Sequence, residues 1–324
     1  MELQTLLVGD IGGTNARFAL ATPGVPGFRD EQTLKCADFA SAEEAITHYL
    51  DSVAAASPVA ICLAAAGPIV NESVRFTNNP WSIAVADLRA GFGIEAVRLL
   101  NDFEAIAWSI PMLGSEHLMS IGLPEAAGLG DRDFTVGVIG PGTGLGCVGI
   151  KKIGEQLIPI AGEAAHGGFA PETQVQLDIL QQLRERFDRV SSERVVSGGG
   201  IENVYRALCR IHGEKRAALS AAEIFAASGE NGDPRANEAV EIFFEVLGQV
   251  AGDFSMALGA FDGMFIAGGI AKRYPERLAN SRFREGFERK GRYRSLLERI
   301  PTQLITHPEP GLLGAAHCAG QLLA

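Results

Sequence analysis

Val8-Gly-Asp-Ile-Gly-Gly-Thr-Asn-Ala-Arg-Phe18 is an apolar run that ends on a carboxylate, turns through two glycines and a threonine, and becomes apolar again. Ile139-Gly-Pro-Gly-Thr-Gly-Leu-Gly-Cys-Val148 repeats the pattern about 130 residues further on, roughly one domain length. Each copy reads as strand, Gly-rich turn, strand. Glycines let backbone N–H groups converge on a phosphate with no Cβ in the way, and they permit φ > 0 within the turn. Thr14 and Thr143 each add a hydroxyl donor, and Asp10 stands where a carboxylate can orient a hydrated Mg²⁺. Either loop alone reads equally well as a tight hairpin. The pair, with matching threonines, favours two phosphate loops, one per domain, on opposite walls of a cleft.

Strand and helix signals alternate around the first loop. Ser41 followed by Glu44 predicts a capping box ahead of a helix over 42–55. Runs 59–65 and 97–100 read as buried strands, and 83–91 as helix. Beyond the second loop, 134–139 and 147–153 read as strands. Helices follow over 174–187, 201–211 and 239–257, then strands over 263–267 and 302–306, and a small-residue helix over 311–323. Segments 125–132 and 229–234 read as surface loops. This alternation implies covered α/β sheets, and 324 residues imply two domains.

Composition excludes several classes. A net charge of −11 disfavours a nucleic-acid partner. The longest apolar runs are too short to span a bilayer, and no basic segment precedes Thr5 as a secretory leader would require. Five scattered cysteines, odd in number and without CxxC spacing, read as free thiols of a reducing cytoplasm. The glycosylation pattern Asn71-Glu72-Ser73 is then a chance match. No P-loop or protein-kinase signature is present. Gly144-Leu-Gly-Cys-Val-Gly149 satisfies GxGxxG, but the chain continues as a strand where a dinucleotide fold needs a helix.

Two further groups carry chemistry. Asn101-Asp102 closes an apolar strand, and ligands of α/β sheets sit at such carboxyl ends. Asp102 there can accept a proton from an attacking alcohol while Asn101 holds a neighbouring hydroxyl. Both residue types also favour a helix N-cap, and the local sequence leans that way. Gly162-Glu-Ala-Ala-His-Gly-Gly168, with Glu193 further on, offers carboxylate and imidazole groups that suit vicinal sugar hydroxyls. One histidine and two scattered carboxylates have no zinc-ligand spacing. Glu193 alone reads equally well as a surface carboxylate.

Taken in order, Asp10-Ile-Gly-Gly-Thr-Asn-Ala-Arg17, Thr77-Asn-Asn-Pro-Trp81, Leu100-Asn-Asp-Phe103, Gly140-Pro-Gly-Thr-Gly-Leu-Gly146, Gly162–Gly168, Ser192-Glu-Arg-Val-Val-Ser-Gly198, Phe265-Ile-Ala-Gly-Gly-Ile270 and Pro310-Gly-Leu-Leu-Gly314 resemble the bacterial glucokinase family. The resemblance runs from Val8 to Gly314. It implies the two-domain actin-like ATPase (ribonuclease H-like) fold of hexokinases, with the active site in the interdomain cleft. The expected domains are 1–112 plus 302–324, and 113–301. The implied activity is transfer of the ATP γ-phosphate to the 6-hydroxyl of glucose, with ATP and Mg²⁺ as cofactors and a cytoplasmic homodimer as the working form.

On the family pattern Asp102 is the catalytic base, and Asn101, Glu163, His166 and Glu193 bind the sugar. Gly9, Asp10, Ile11, Gly12, Gly13 and Thr14, with Gly140, Gly142, Thr143 and Gly144, contact the phosphates. Gly268 and Gly269 lie near the adenosine. Asn78 and Trp81 support the sugar side, or Trp81 belongs to the core. Two departures stand out. Ser197-Gly-Gly-Gly200 has Gly where the family often has Pro. No Cys follows His166, so no structural zinc is expected. An ATPase without sugar transfer and a sugar sensor without turnover remain the rival readings.

Overall fold

The computed structural model describes residues 4–76, 79–125 and 128–323. Thr77 and Asn78 of the motif ending at Trp81, and residues 126–127 of the loop expected over 125–132, lie outside them. The chain forms two units, Met1–Gly114 with His307–Ala324, and Ser115–Thr306.

The first unit is built on β1 (Leu6–Ile11), β2 (Asn15–Thr22), β3 (Val25–Lys35) and β4 (Ala60–Ala65), with α1 (Ala42–Ser52) before β4. β1 runs antiparallel to β2 and parallel to β4. All six residues of β4 are buried, which is why it reads as an unbroken apolar run. Ser41 accepts the Glu44 N–H at the start of α1, as expected, but the Glu44 carboxylate reaches the N–H of Ala40 instead of Ser41. The helix expected over 83–91 begins later. Ile83 belongs to β6 (Ser82–Ala84), which pairs with β5 (Ser73–Arg75), and α2 (Val85–Phe92) follows, closed by Gly93 in the left-handed region at φ 67°. Trp81 is core: its side chain is buried and its Nε1 donates to the Phe39 carbonyl at 3.1 Å. β7 (Ala96–Asn101) completes the sheet order β3-β2-β1-β4-β7, and α3 (Asp102–Ser109) follows without a loop.

The second unit opens with β8 (Leu118–Ser120), β9 (Phe134–Pro141), β10 (Leu145–Ile153) and β11 (Gln156–Ala161). Four helices come next, α4 (Gln174–Arg184), α5 (Gly198–Ile211), α6 (Ala221–Ala227) and α7 (Pro234–Leu258). After β12 (Gly263–Ile266) come the short helices α8 (Gly269–Arg273), α9 (Pro275–Ala279), α10 (Phe283–Glu288) and α11 (Arg294–Leu297), then β13 (Thr302–Ile305). The sheet order is β11-β10-β9-β12-β13-β8. Strands β11 to β13 in that order match β3-β2-β1-β4-β7 in sense: two antiparallel steps lead to the central strand and two parallel steps lead away. The internal repeat is thus a whole five-stranded sheet, of which the sequence shows only the central hairpin.

The domain boundary expected at 302 is corrected. β13 pairs in parallel with β12 and antiparallel with β8, so it belongs to the second sheet, and the chain returns to the first unit only at His307. There α12 (Pro310–Gln321) packs against β1, β4 and α3. Its small residues permit close approach: a Cβ on Gly314 would lie 1.7 Å from the Ala105 carbonyl oxygen.

Candidate active site

The first unit gathers its chemistry at the carboxyl ends of its parallel strands, where Ile11, Ala65 and Asn101 share a row across β1, β4 and β7. Gly9 lets β1 pass its neighbours, since an added Cβ would meet Leu63 Cδ2 at 2.8 Å. The Gly12 N–H donates to the Asn15 carbonyl at 2.9 Å and closes the hairpin. Gly13 and Thr14 form its tip, with Thr14 exposed. The Ile11 side chain is buried in the core, so only its backbone can face a phosphate.

Asp10 is paired in register with Arg17, which lies 3.5 Å from Glu309. The first turn of α12 reaches the same carboxylate, since a Cβ on Gly311 would sit 3.2 Å from Asp10 Oδ2. Burial, and next the Asp102 carboxylate, push the Asp10 pKa up to about 6, with Arg17 opposing. The folded chain therefore holds a proton that the unfolded chain, at 3.8, releases. The resulting stabilisation is complete below the unfolded value and is lost as pH rises through the folded one, on the order of 3 kcal/mol in all. Asp10→Asn is thus expected to raise the melting temperature of the ligand-free protein at about pH 8 and to give no gain near pH 4. Melts of both proteins at the two pH values check this; an equal shift at both would mean that no perturbed carboxylate is involved.

Asn101 is the N-cap of α3, as the local sequence allows. Its Oδ1 accepts the Phe103 N–H at 3.0 Å and its Nδ2 donates to the Gly67 carbonyl at 3.1 Å. Asp102 opens the helix and its Oδ1 accepts the same N–H at 2.9 Å. Capping and site geometry are therefore one arrangement here: the cap fixes both side chains at the strand end.

The second unit carries the other glycine hairpin and the remaining candidate polar residues. Gly142 closes the β9–β10 turn through its N–H to the Gly144 carbonyl at 2.8 Å, and its own carbonyl accepts the Gly198 N–H of α5 at 2.8 Å. Thr143 is exposed at the tip, as Thr14 is in the first hairpin. Gly140 and Gly268 are in backbone contact: a Cβ on Gly140 would lie 2.6 Å from the Ala267 carbonyl carbon, and one on Gly268, at φ 85°, would lie 2.5 Å from the Pro141 oxygen. Gly269 begins α8 with open space above it.

Glu163 precedes the turn Ala164–His166 and His166 ends it, with Oε2 and Nε2 3.8 Å apart. At 75% and 56% side-chain exposure they are open to a ligand on this unit. Glu193 is placed differently. Its Oε2 accepts the Leu145 N–H at 3.0 Å, and a Cβ on Gly144 would meet that oxygen at 2.6 Å. This carboxylate therefore ties the turn at 192–194 to the β9–β10 hairpin, a link that no sequence spacing announces. Cys147 lies behind the site, where burial and then Glu163 push its thiol up to about 12, leaving it inert at neutral pH. Among the described residues, no three His, Cys, Asp or Glu side chains gather as a metal site.

The family model for glucokinase matches residues 7–322. A glucokinase of Nitrobacter hamburgensis is 40% identical over 312 residues, 96% of either chain. The crystal structure of a glucokinase from an Antarctic psychrotroph superposes with a TM-score of 0.91 at 34% identity, covering 99% of this chain and 100% of that one. A glucokinase of the ROK family from Streptomyces griseus, solved with glucose and AMPPNP, shares the fold at a TM-score of 0.61 and 19% identity, over 98% of this chain and 99% of its own. Two α/β units with duplicated sheets and paired glycine hairpins thus define a sugar kinase of the actin-like ATPase fold. Within that class, the chain belongs to the glucokinase family.

Proposed function

We propose that the chain transfers the γ-phosphate of ATP to the 6-hydroxyl of glucose, giving glucose 6-phosphate and ADP. The observation that carries this reading is the 40% identity to a glucokinase over 96% of the chain, joined by the carboxylates Asp10 and Asp102 of the first unit, which repel one another. A cation beside Asp10 would offset that repulsion, and a single hard oxygen donor fits Mg²⁺, which keeps most of its waters. When bound, Mg²⁺ neutralises charge on the phosphates. Positioning and charge stabilisation carry most of such a transfer, and Asp102 takes the hydroxyl proton late, as the oxygen–phosphorus bond forms.

Asn101, anchored at both ends, offers the sugar its second Nδ2 hydrogen. Glu163, His166 and Glu193 hold the sugar hydroxyls, the two glycine hairpins hold the phosphates, and Gly268 and Gly269 border the adenosine. The five cysteines are free and buried, which suits a reducing cytoplasm, where a homodimer would feed glucose into glycolysis. ADP release across a hexose panel, with and without Mg²⁺, tests the whole reading. Release that is independent of sugar would make the chain an ATPase, and sugar binding without release would make it a sensor.

Specificity follows from the polar groups. A site that leaves polar groups unpaired when a hydroxyl is missing loses about 1–3 kcal/mol per neutral group. Glucose should therefore be used far better than fructose, and better than 2-deoxyglucose. Glu163→Gln should raise KM for glucose more than for 2-deoxyglucose, and kcat/KM values for both proteins on all three sugars measure this. An equal penalty on the two aldoses would mean that Glu163 does not read the 2-hydroxyl.

A further inference from the structure

On the second unit, three guanidinium groups surround a pocket of about 100 Å³ between α4 and α5. Its polar walls are Gln182 and Arg186 from the end of α4 and beyond, and Asn203, Arg206 and Arg210 from α5. The α5 residues recur at helical spacing, so they share one face. Arg206 and Arg210 meet Glu202 and Glu185 at 3.5 Å each, with the arginines 40% and 57% exposed, and such pairs hold their partners weakly. Arg186 has, among the described residues, no carboxylate at ion-pair distance; it donates to Asn203 Oδ1 at 2.9 Å. Three cations thus face two carboxylates around one small polar pocket, in a chain whose net charge is −11. Forked guanidinium donors match the oxygens of a phosphate group, and a pocket of this size takes that group while the rest of a larger molecule stays in solvent.

Asn203 ties this pocket to the sugar side. It is 6% exposed, and its amide is bonded in two directions, Oδ1 to Arg186 and Nδ2 to the Arg194 carbonyl at 3.1 Å. Arg194 ends the turn that carries Glu193. The guanidiniums of Arg186 and Arg194 both lie over the Phe187 ring, at 5.1 and 4.3 Å from its centre. We propose that this pocket binds the phosphate group of inorganic phosphate or of a phosphomonoester, and that its occupancy loosens the Glu193 turn. An anion there competes with Asn203 Oδ1 for Arg186 and removes one of the two bonds that fix Asn203. The effect on the sugar rests on the reading that Glu193 holds it.

The test is calorimetric titration of inorganic phosphate, and separately of glucose 6-phosphate, into the unmodified protein and into the double variant Arg206→Gln/Arg210→Gln, with ionic strength held by chloride. Phosphate should bind the unmodified protein, and the variant should bind it at least about tenfold more weakly, with an unchanged melting temperature. If the variant still binds glucose 6-phosphate tightly, that binding belongs to the product site; if it loses both ligands, the sugar phosphate also uses this pocket. Equal phosphate affinity in the two proteins, or equal competition by chloride, would overturn the site. Phosphate should also raise the glucose KM of the unmodified protein and not of the variant; no such difference would overturn the link to Glu193. The binding arm needs no turnover, so it stands or fails apart from the glucose assignment.

Discussion

Replacing Asp102 by Asn should lower kcat by about 10²–10⁴-fold and leave glucose binding nearly intact. The substitution keeps the shape and the acceptor that meets the Phe103 N–H, so α3 keeps its first turn. What it removes is the ability to take a proton. Asn101 still caps the helix and still anchors on Gly67, so the surface proposed to face the sugar should survive. Asp10 provides an internal control. With the neighbouring carboxylate gone, its pKa should fall from about 6 toward 3.8 without reaching it, because burial is the larger cause and remains. Titration calorimetry with glucose, steady-state kinetics and the pH dependence of stability read these three consequences separately. Near-normal turnover would remove Asp102 as the base.

Gly314→Ala should be the most damaging single methyl group in the first unit. α12 and α3 touch backbone to backbone there, and the new Cβ would lie 1.7 Å from the Ala105 oxygen and 2.8 Å from the Ser109 nitrogen. Neither is a side chain that can rotate away, so the helices must part. Overpacking of this kind costs about 3 kcal/mol or more, well above the fraction of a kcal/mol that alanine gains as a helix former. Gly320→Ala, on the same helix with nothing within 4 Å, is the control and should be neutral or slightly stabilising. Chemical denaturation of both variants settles it. The two glycines behaving alike would mean that the helices are not in close contact. Because Gly311 lies against Asp10 on this helix, the Gly314 variant should also bind ATP more weakly than its remaining folded fraction explains.

The sequence is most readable where covalent geometry leaves least choice. The two glycine hairpins, the buried run of β4 and the strand ending at Asn101-Asp102 each combine an apolar stretch with a turn or cap residue, and all are found within a few residues of their expected places. β3 and β11 are edge strands that escape notice. β3 has no buried residue and so no apolar face, and β11 carries Pro159, which reads as a breaker. The boundary at 302 is misplaced because Thr302–Ile305 reads as a strand in either unit, and only its pairing with β12 assigns it to the second sheet. Among the candidate site residues, Asn101 is the helix cap that the local sequence favours, and the cap holds its side chain at the strand end. The attachment of Glu193 to Leu145 joins residues far apart in sequence and depends on Gly144 leaving room, a tertiary fact with no local sign.

The first unit is discontinuous, and α12 leaves the ribosome only after all of Ser115–Thr306. At ~5–20 residues per second that delay is on the order of 10–40 s. Throughout it, the sheet β3-β2-β1-β4-β7 lacks the helix that covers it, and its apolar face is a surface that chaperones recognise. The second unit is contiguous and is under no such constraint. Gly311 and Glu309 arrive beside Asp10 only with this helix, so the surroundings that raise its pKa are assembled late.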